Sequence, residues 1–325
     1  MNAPSDPDAV QRLRRALLLL AAGGVAGFPR RARAASLQAR EVAPGTWFVQ
    51  GEAALGSAAN RNFISNAAFV VTGDGVLLVD ALGSPVLARE LLAEIRRVTR
   101  QPLRHVVVTH YHADHIYGLQ VFRDAGAEVI AHAAGRAYLH SDTAALRLQA
   151  SREELAPWVD GNTRLTPADR WIEADTEIAL GDDRFLIRHA GPAHTPEDLV
   201  VLAQRRRVLF AGDLVFRGRI PFVGQADSER WIATLRRMLE DRPAIMVPGH
   251  GEVSVRPGED LQLTLDYLVF LRQAMGEAAA AMEPFEDAYA RADWSRFDHL
   301  PLFRAANRMN AYNTYLLMEQ APSRR

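Results

Sequence analysis

The chain contains no cysteine. Disulfides, thiolate metal sites, iron–sulfur clusters and cysteine nucleophiles are therefore excluded. Lysine is also absent, so all 38 basic residues are arginine. That removes Schiff-base chemistry and the lysine of a phosphate-binding P-loop. No repeat or low-complexity tract occurs in the 325 residues. Net charge is scarce too, at −1, and six of the arginines, Arg12, Arg14, Arg15, Arg30, Arg31 and Arg33, lie within the first 34 residues. The remainder is acidic, which argues against a nucleic-acid footprint. What is present is a 48% apolar, 24% charged composition, the usual balance of a globular protein with a sizeable core.

Residues 11–35 read QRLRRALLLLAAGGVAGFPRRARAA. Paired arginines precede an apolar run from Ala16 to Phe28, with small residues at Ala32, Ala34 and Ala35. This is the charged, apolar and small-residue order of an export signal. The run is shorter than the about 20 residues that cross a bilayer. Residues 1–34 are thus expected to be a signal peptide, possessing the arginine pair of the twin-arginine variant but Leu13 in front of it. The mature chain is expected in the periplasm or outside the cell, without a membrane anchor.

Past the signal, short runs rich in β-branched residues read as strands at Trp47–Gln50, Ala67–Thr72, Val76–Asp80, His105–Thr109 and Glu128–Ala131. A second set follows at Thr176–Leu180, Arg184–His189, Asp198–Ala203, Arg207–Phe210 and Ala244–Val247. Asp74-Gly75 is a hairpin signal. Helical spacing covers Ser84 to Thr99, with Ser84 as N-cap, Ser228 to Leu239, Pro257 to Met282 and Pro301 to Gln320. Residues 141–170 lack a period and are expected to form a flap. Strands and helices alternate in two halves without a linker, which predicts an α/β fold of two packed sheets with helices outside. The expected division is a single domain over 35–285 with a helical extension over 286–325 packed on it.

The chemistry concentrates in Val106-Val107-Val108-Thr109-His110-Tyr111-His112-Ala113-Asp114-His115. In extended backbone, residues i and i+2 face the same side. His110 and His112 can therefore grip one ion, while Asp114 and His115, where the chain turns, can serve a second. A carboxylate among imidazoles is consistent with bound cations. Three further candidates each follow an apolar strand at a glycine-bearing turn: His194 in GPAHTP, Asp213 in LFAGD, and His250 in MVPGHG. His105, His132, His140, His189 and His299 fit no ligand slot, and Tyr111 reads as packing.

With H-x-H-x-D-H at 110–115, then His194, Asp213 and His250 in this order, the chain resembles the metallo-β-lactamase superfamily of hydrolases over about residues 42–255. The resemblance implies a four-layer αβ/βα sandwich, two mixed β-sheets with helices on the outer faces. It implies a first metal held by His110, His112 and His194, a second held by Asp114, His115 and His250, and Asp213 bridging both. Asp80 matches the family's acidic residue that braces the ligand loop. True β-lactamases usually carry Cys or Ser where Asp213 stands. The Asp form resembles the glyoxalase II and lactonase branches. Gly212–Phe216, Arg219–Gly224 and the N-terminus resemble the zinc hydrolases of quinoprotein relay systems and sulfur-oxidation clusters.

Two divalent ions about 3.5–4 Å apart share a water and lower its pKa towards 7. The implied activity is attack of that hydroxide on an ester, thioester, lactone or amide of a small molecule, with Asp114 also orienting the nucleophile. The absence of a G-x-S-x-G motif agrees with this. Imidazole and carboxylate ligands suit zinc, with iron and manganese compatible; the resemblance points to zinc. The alternatives are a β-lactamase-type amide hydrolase, a mononuclear non-haem iron persulfide dioxygenase, and a catalytically silent binding protein on the same fold. Arg217, Arg219 and Phe222, in the loop after Asp213, are the candidate substrate-pocket residues.

Overall fold

Apolar side chains alternate between two destinations along the central strands. In β3 (Ala67–Thr72), Ala67 and Phe69 face one core while Ala68 and Val70 face another. In β4 (Gly75–Val79), Val76 and Leu78 go one way, Leu77 and Val79 the other. Both faces are buried, so a one-residue slip would move every side chain into the wrong layer. The computed structural model describes residues 37–240 and 242–320. The expected signal peptide, 1–34, lies outside the described residues.

The first sheet has seven strands in sequence order: β1 (Arg40–Ala43), β2 (Thr46–Val49), β3, β4, β5 (Leu103–Val107), β6 (Glu128–His132) and β7 (Arg170–Ile172). It is antiparallel up to β4 and parallel from β4 to β7. The second sheet contains β8 (Thr176–Leu180), β9 (Asp183–His189), β10 (Leu199–Ala203), β11 (Val208–Phe216) and β12 (Ile245–His250), in the order β12-β11-β10-β9-β8. Only β11 and β12 run parallel. Phe48, Val70, Leu77, Val107, Phe185, Val201 and Phe210 fill the layer between the sheets.

Helices cover the outer faces. On the first sheet lie α1 (Pro85–Val98), α2 (Ala113–Ile116), α3 (Leu119–Asp124), α4 (Gly135–Leu139) and α5 (Asp142–Glu154). Helix α1 starts as its sequence predicts: the Ser84 hydroxyl accepts from Leu87 N at 3.4 Å, with Pro85 at the first position. Its Leu87, Ala88, Leu91 and Ile95 form the buried stripe. On the second sheet lie α6 (Ser228–Arg237), α7 (Pro257–Asp260), α8 (Gln262–Ala280), α9 (Phe285–Arg291) and α10 (Phe303–Gln320). The result is the αβ/βα sandwich. The described residues belong to one compact unit beginning at Leu37. Helices α8 and α10 share one apolar core, in which Leu268, Leu271 and Met275 meet Ala306, Ala311 and Tyr315.

Three expectations need correction. Residues 141–170 are no flap: Ser141 caps α5 through Ala144 N, and Leu148, Leu155 and Val159 are buried in the first core. The helix expected over Pro257 to Met282 is interrupted at Leu261, next to Asp260, which accepts from Ser254 Oγ and pairs with Arg217 at 3.0 Å. Strand β11 runs six residues past Phe210, carrying Asp213 inside the strand rather than after it.

Candidate metal centre

The ends of β5, β9 and β12 meet the interior of β11 at one edge of the sandwich. The segment after β5 carries His110 and His112, and α2 carries Asp114 and His115. The turn after β9 carries His194, β11 carries Asp213, and β12 ends on His250. The structure brings all seven together. Donor atoms of His110, His112, His194 and Asp213 lie within 4.8 Å of one another, and so do those of Asp114, His115 and His250. Asp213 touches both groups: its carboxylate lies 3.5 Å from His194 Nε2, 3.2 Å from His115 Nε2 and 3.3 Å from His250 Nε2.

The imidazoles are aimed by their other nitrogens. Thr109 donates from N and Oγ1 to Asp80, each at 2.8 Å, and Oγ1 lies 3.1 Å from His110 Nδ1. His115 Nδ1 lies 2.8 Å from Asp80 Oδ2. His250 Nδ1 donates to the Ile64 carbonyl at 2.7 Å. With each Nδ1 committed to these partners, the Nε2 lone pairs of His110, His115 and His250 point into the cluster. His110 Nε2 and His115 Nε2, both facing the cluster, are buried without a hydrogen-bond partner. An unsatisfied buried polar atom costs about 1–3 kcal/mol, and a cation removes that cost. Borderline nitrogen and hard oxygen donors, unpaired and converging, fit zinc, iron or manganese.

Close approach requires glycine here. A Cβ on Gly249 would stand 2.0 Å from Asp213 Oδ1, and one on Gly212, whose φ is +51°, 2.8 Å from Thr109.

Burial and mutual fields divide the cluster. Burial, with the His115 imidazole close by, holds His110 well below its ordinary value. Burial lowers His112 and, with His112 beside it, pushes His194 down to about 3. Burial also opposes charge on His115 and His250, but Asp213 and Asp114 outweigh it and raise both. Burial would raise Asp213; the His250 and His115 imidazoles overcome that and hold it well below the carboxylate range.

A family model described as the metallo-beta-lactamase superfamily matches residues 60–250. The chain belongs to the metallo-β-lactamase superfamily. It is a metallohydrolase of that superfamily with a His/Asp cluster at its sheet edge. A metallo-β-lactamase type 2 of Bacillus cereus is 27% identical over 197 residues, 59% of this chain and 69% of that protein. A linear primary-alkylsulfatase of Pseudomonas sp. is 26% identical over 61% of this chain but only 44% of its own length. Among solved structures, a metallo-β-lactamase from Pontibacter korlensis superposes with a TM-score of 0.56 at 22% identity, covering 72% of this chain and 99% of that one. At that identity the likeness shows the fold.

Of the three expected pocket residues, two face the superfamily cluster. Phe222 places its ring edge-on to His112 and His194, 6.1 and 6.3 Å between centroids, and is 37% exposed. Arg219 is buried, with its NH1 3.3 Å from His250 Nδ1, and lies over Phe216. Among the described residues, no carboxylate forms an ion pair with it. Arg217 departs from expectation: it is taken up by Asp260 and by the carbonyls of Glu252 and Val253.

Sequence reasoning missed the supports. Asn66 donates from Nδ2 to the carbonyls of Pro248 and Gly251, and from N to Gly249, so it holds the His250 turn. Glu197 accepts from the amide of Tyr111, between two of the histidines, and Asp198 caps the His194 turn at Thr195. A polar residue directly flanking a strand or a histidine was the only available signal. It is a weak one, since such residues also serve ordinary turns.

Proposed function

We propose that this protein is an exported binuclear metallohydrolase of small anionic esters, thioesters, lactones or amides. One observation carries the reading: imidazole nitrogens pinned from behind converge with Asp213 between two donor groups. His110, His112 and His194 would hold one ion, Asp114, His115 and His250 the other, with Asp213 bridging. When bound, a pair of divalent ions lowers the pKa of a water towards about 7 and polarises the bond under attack.

The chain's own residues do the rest. Asp114 has the more open of the two carboxylates, 16% exposed against 4% for Asp213, so it is the group placed to orient water. Arg219, buried without a carboxylate partner, offers its guanidinium to an anionic substituent. Phe222 supplies an apolar wall that excludes bulk water. The alkylsulfatase relative adds sulfate esters to the candidate substrates, and the β-lactamase relatives add cyclic amides. The arginine pair and apolar run of residues 11–35 support work in the periplasm or outside the cell.

A mononuclear iron dioxygenase would need only the first donor group. The complete second group favours hydrolysis. The test is a panel of thioesters, lactones, β-lactams, carboxylate esters and sulfate esters presented to zinc-loaded protein, with a persulfide and oxygen electrode in parallel. Turnover of an ester-type substrate supports the reading. Oxygen uptake on the persulfide, with one iron per chain, overturns it.

A further inference from the structure

The loop over the cluster, residues 217–226, is held from outside the family-matched region. Val223 N donates to Asn310 Oδ1 at 3.0 Å, and Asn310 Nδ2 donates to the Pro221 carbonyl at 2.8 Å and to Tyr267 Oη at 2.9 Å. Tyr267 Oη donates to Asn307 Oδ1 at 2.7 Å, and Asn307 donates onward to Tyr289 Oη. A second anchor runs from Ile220 N to the Pro301 carbonyl at 3.1 Å. Phe222 therefore stands between two peptides fixed by one side chain, and Arg219 directly precedes another fixed peptide.

Asn307 and Asn310 are fully buried. Amides in a core are tolerated only when satisfied, and an apolar side chain would fill the same space. What the Asn310 amide adds is a defined geometry at 221–223. We infer that Asn310, on the C-terminal helix α10, is a positioning residue that sets the substrate wall of the metal pocket through the backbone of Pro221 and Val223. The fit of substrate then depends on a helix outside residues 60–250. The inference rests on the hydrolase reading only in taking this pocket as the reaction site.

The test is backbone hydrogen exchange over 217–226 in the zinc-loaded full chain. Removing the amide in Asn310→Ala is expected to speed exchange there about tenfold. Tyr315→Phe is the control: this buried tyrosine of the same helix donates to the Glu283 carbonyl, away from the loop. It should leave loop exchange unchanged. Tyr267→Phe, which keeps shape and loses one link, should fall between them and carries the test if Asn310→Ala does not fold. On a substrate the enzyme turns over, Asn310→Ala should raise KM about tenfold with a smaller change in kcat. Loop exchange equal to that of Tyr315→Phe, or faster exchange with unchanged KM, overturns the inference. Faster exchange in a protein that hydrolyses nothing on the panel leaves the clamp standing and removes the hydrolase reading.

Discussion

Asp80 shows how single residues set the site. Its backbone lies in the left-handed region, at φ 62°, which costs a non-glycine residue about 1 kcal/mol. From that bend the carboxylate accepts from Thr109 N and Oγ1 and holds His115 Nδ1, so one strained residue orients ligands of both groups. Asp80→Asn keeps the volume but loses the charge-assisted hold on His115. Its metal affinity should fall about 10–100-fold in a chelator competition. Unchanged affinity would mean that the imidazole is aimed by packing alone. Thermal stability measured alongside separates this loss from general unfolding.

Protonation belongs to the same scale. His110, His112 and His194 are held below the usual imidazole value, so they stay neutral as the pH drops and protons compete poorly with a cation there. His115 and His250 are raised, so they take protons first. Acidification from neutral pH should release the ion at Asp114, His115 and His250 before the other. Metal analysis after dialysis at stepwise lower pH reads the order. Joint release, or a plateau with the first group emptied, contradicts it.

At the scale of elements, the layers rest on strand alternation and helix stripes. Leu91 is fully buried in the middle of the α1 stripe. Leu91→Ala should destabilise the fold by about 2–5 kcal/mol through lost transfer energy and a residual cavity, measured by urea denaturation. A change below about 0.5 kcal/mol would show that α1 does not anchor the first core. Strands β3, β4, β10 and β11 were legible in the sequence because both faces are buried, leaving dense apolar runs; the short, partly exposed β1 and β7 were not. Helix α5 was not, because only Ala144, Leu148 and Ser151 are buried and no apolar stripe forms. The seven cluster residues were legible because four of them fall within six positions. Asn66 was not, because its partner Pro248 lies 182 residues away and nothing local marks the pairing.

At the scale of the whole molecule, the site exists only because two sheets share an edge. His110, His112, Asp114 and His115 follow the first sheet, while His194, Asp213 and His250 belong to the second. The apolar layer between the sheets therefore does more than stabilise: it fixes the distance between the halves of the cluster. Superfamily membership explains this shared edge, and the C-terminal helices add a support that the matched region lacks.

The most direct measurement is a titration of chelated, metal-stripped protein with zinc, following bound metal and hydrolysis together in the wild type and in Asp213→Ala. The account predicts activity that rises with binding to two ions per chain, and a variant that binds less metal and loses about a hundredfold or more in rate. Full activity in stripped protein, or an Asp213→Ala variant that still binds two ions and works unchanged, would contradict it.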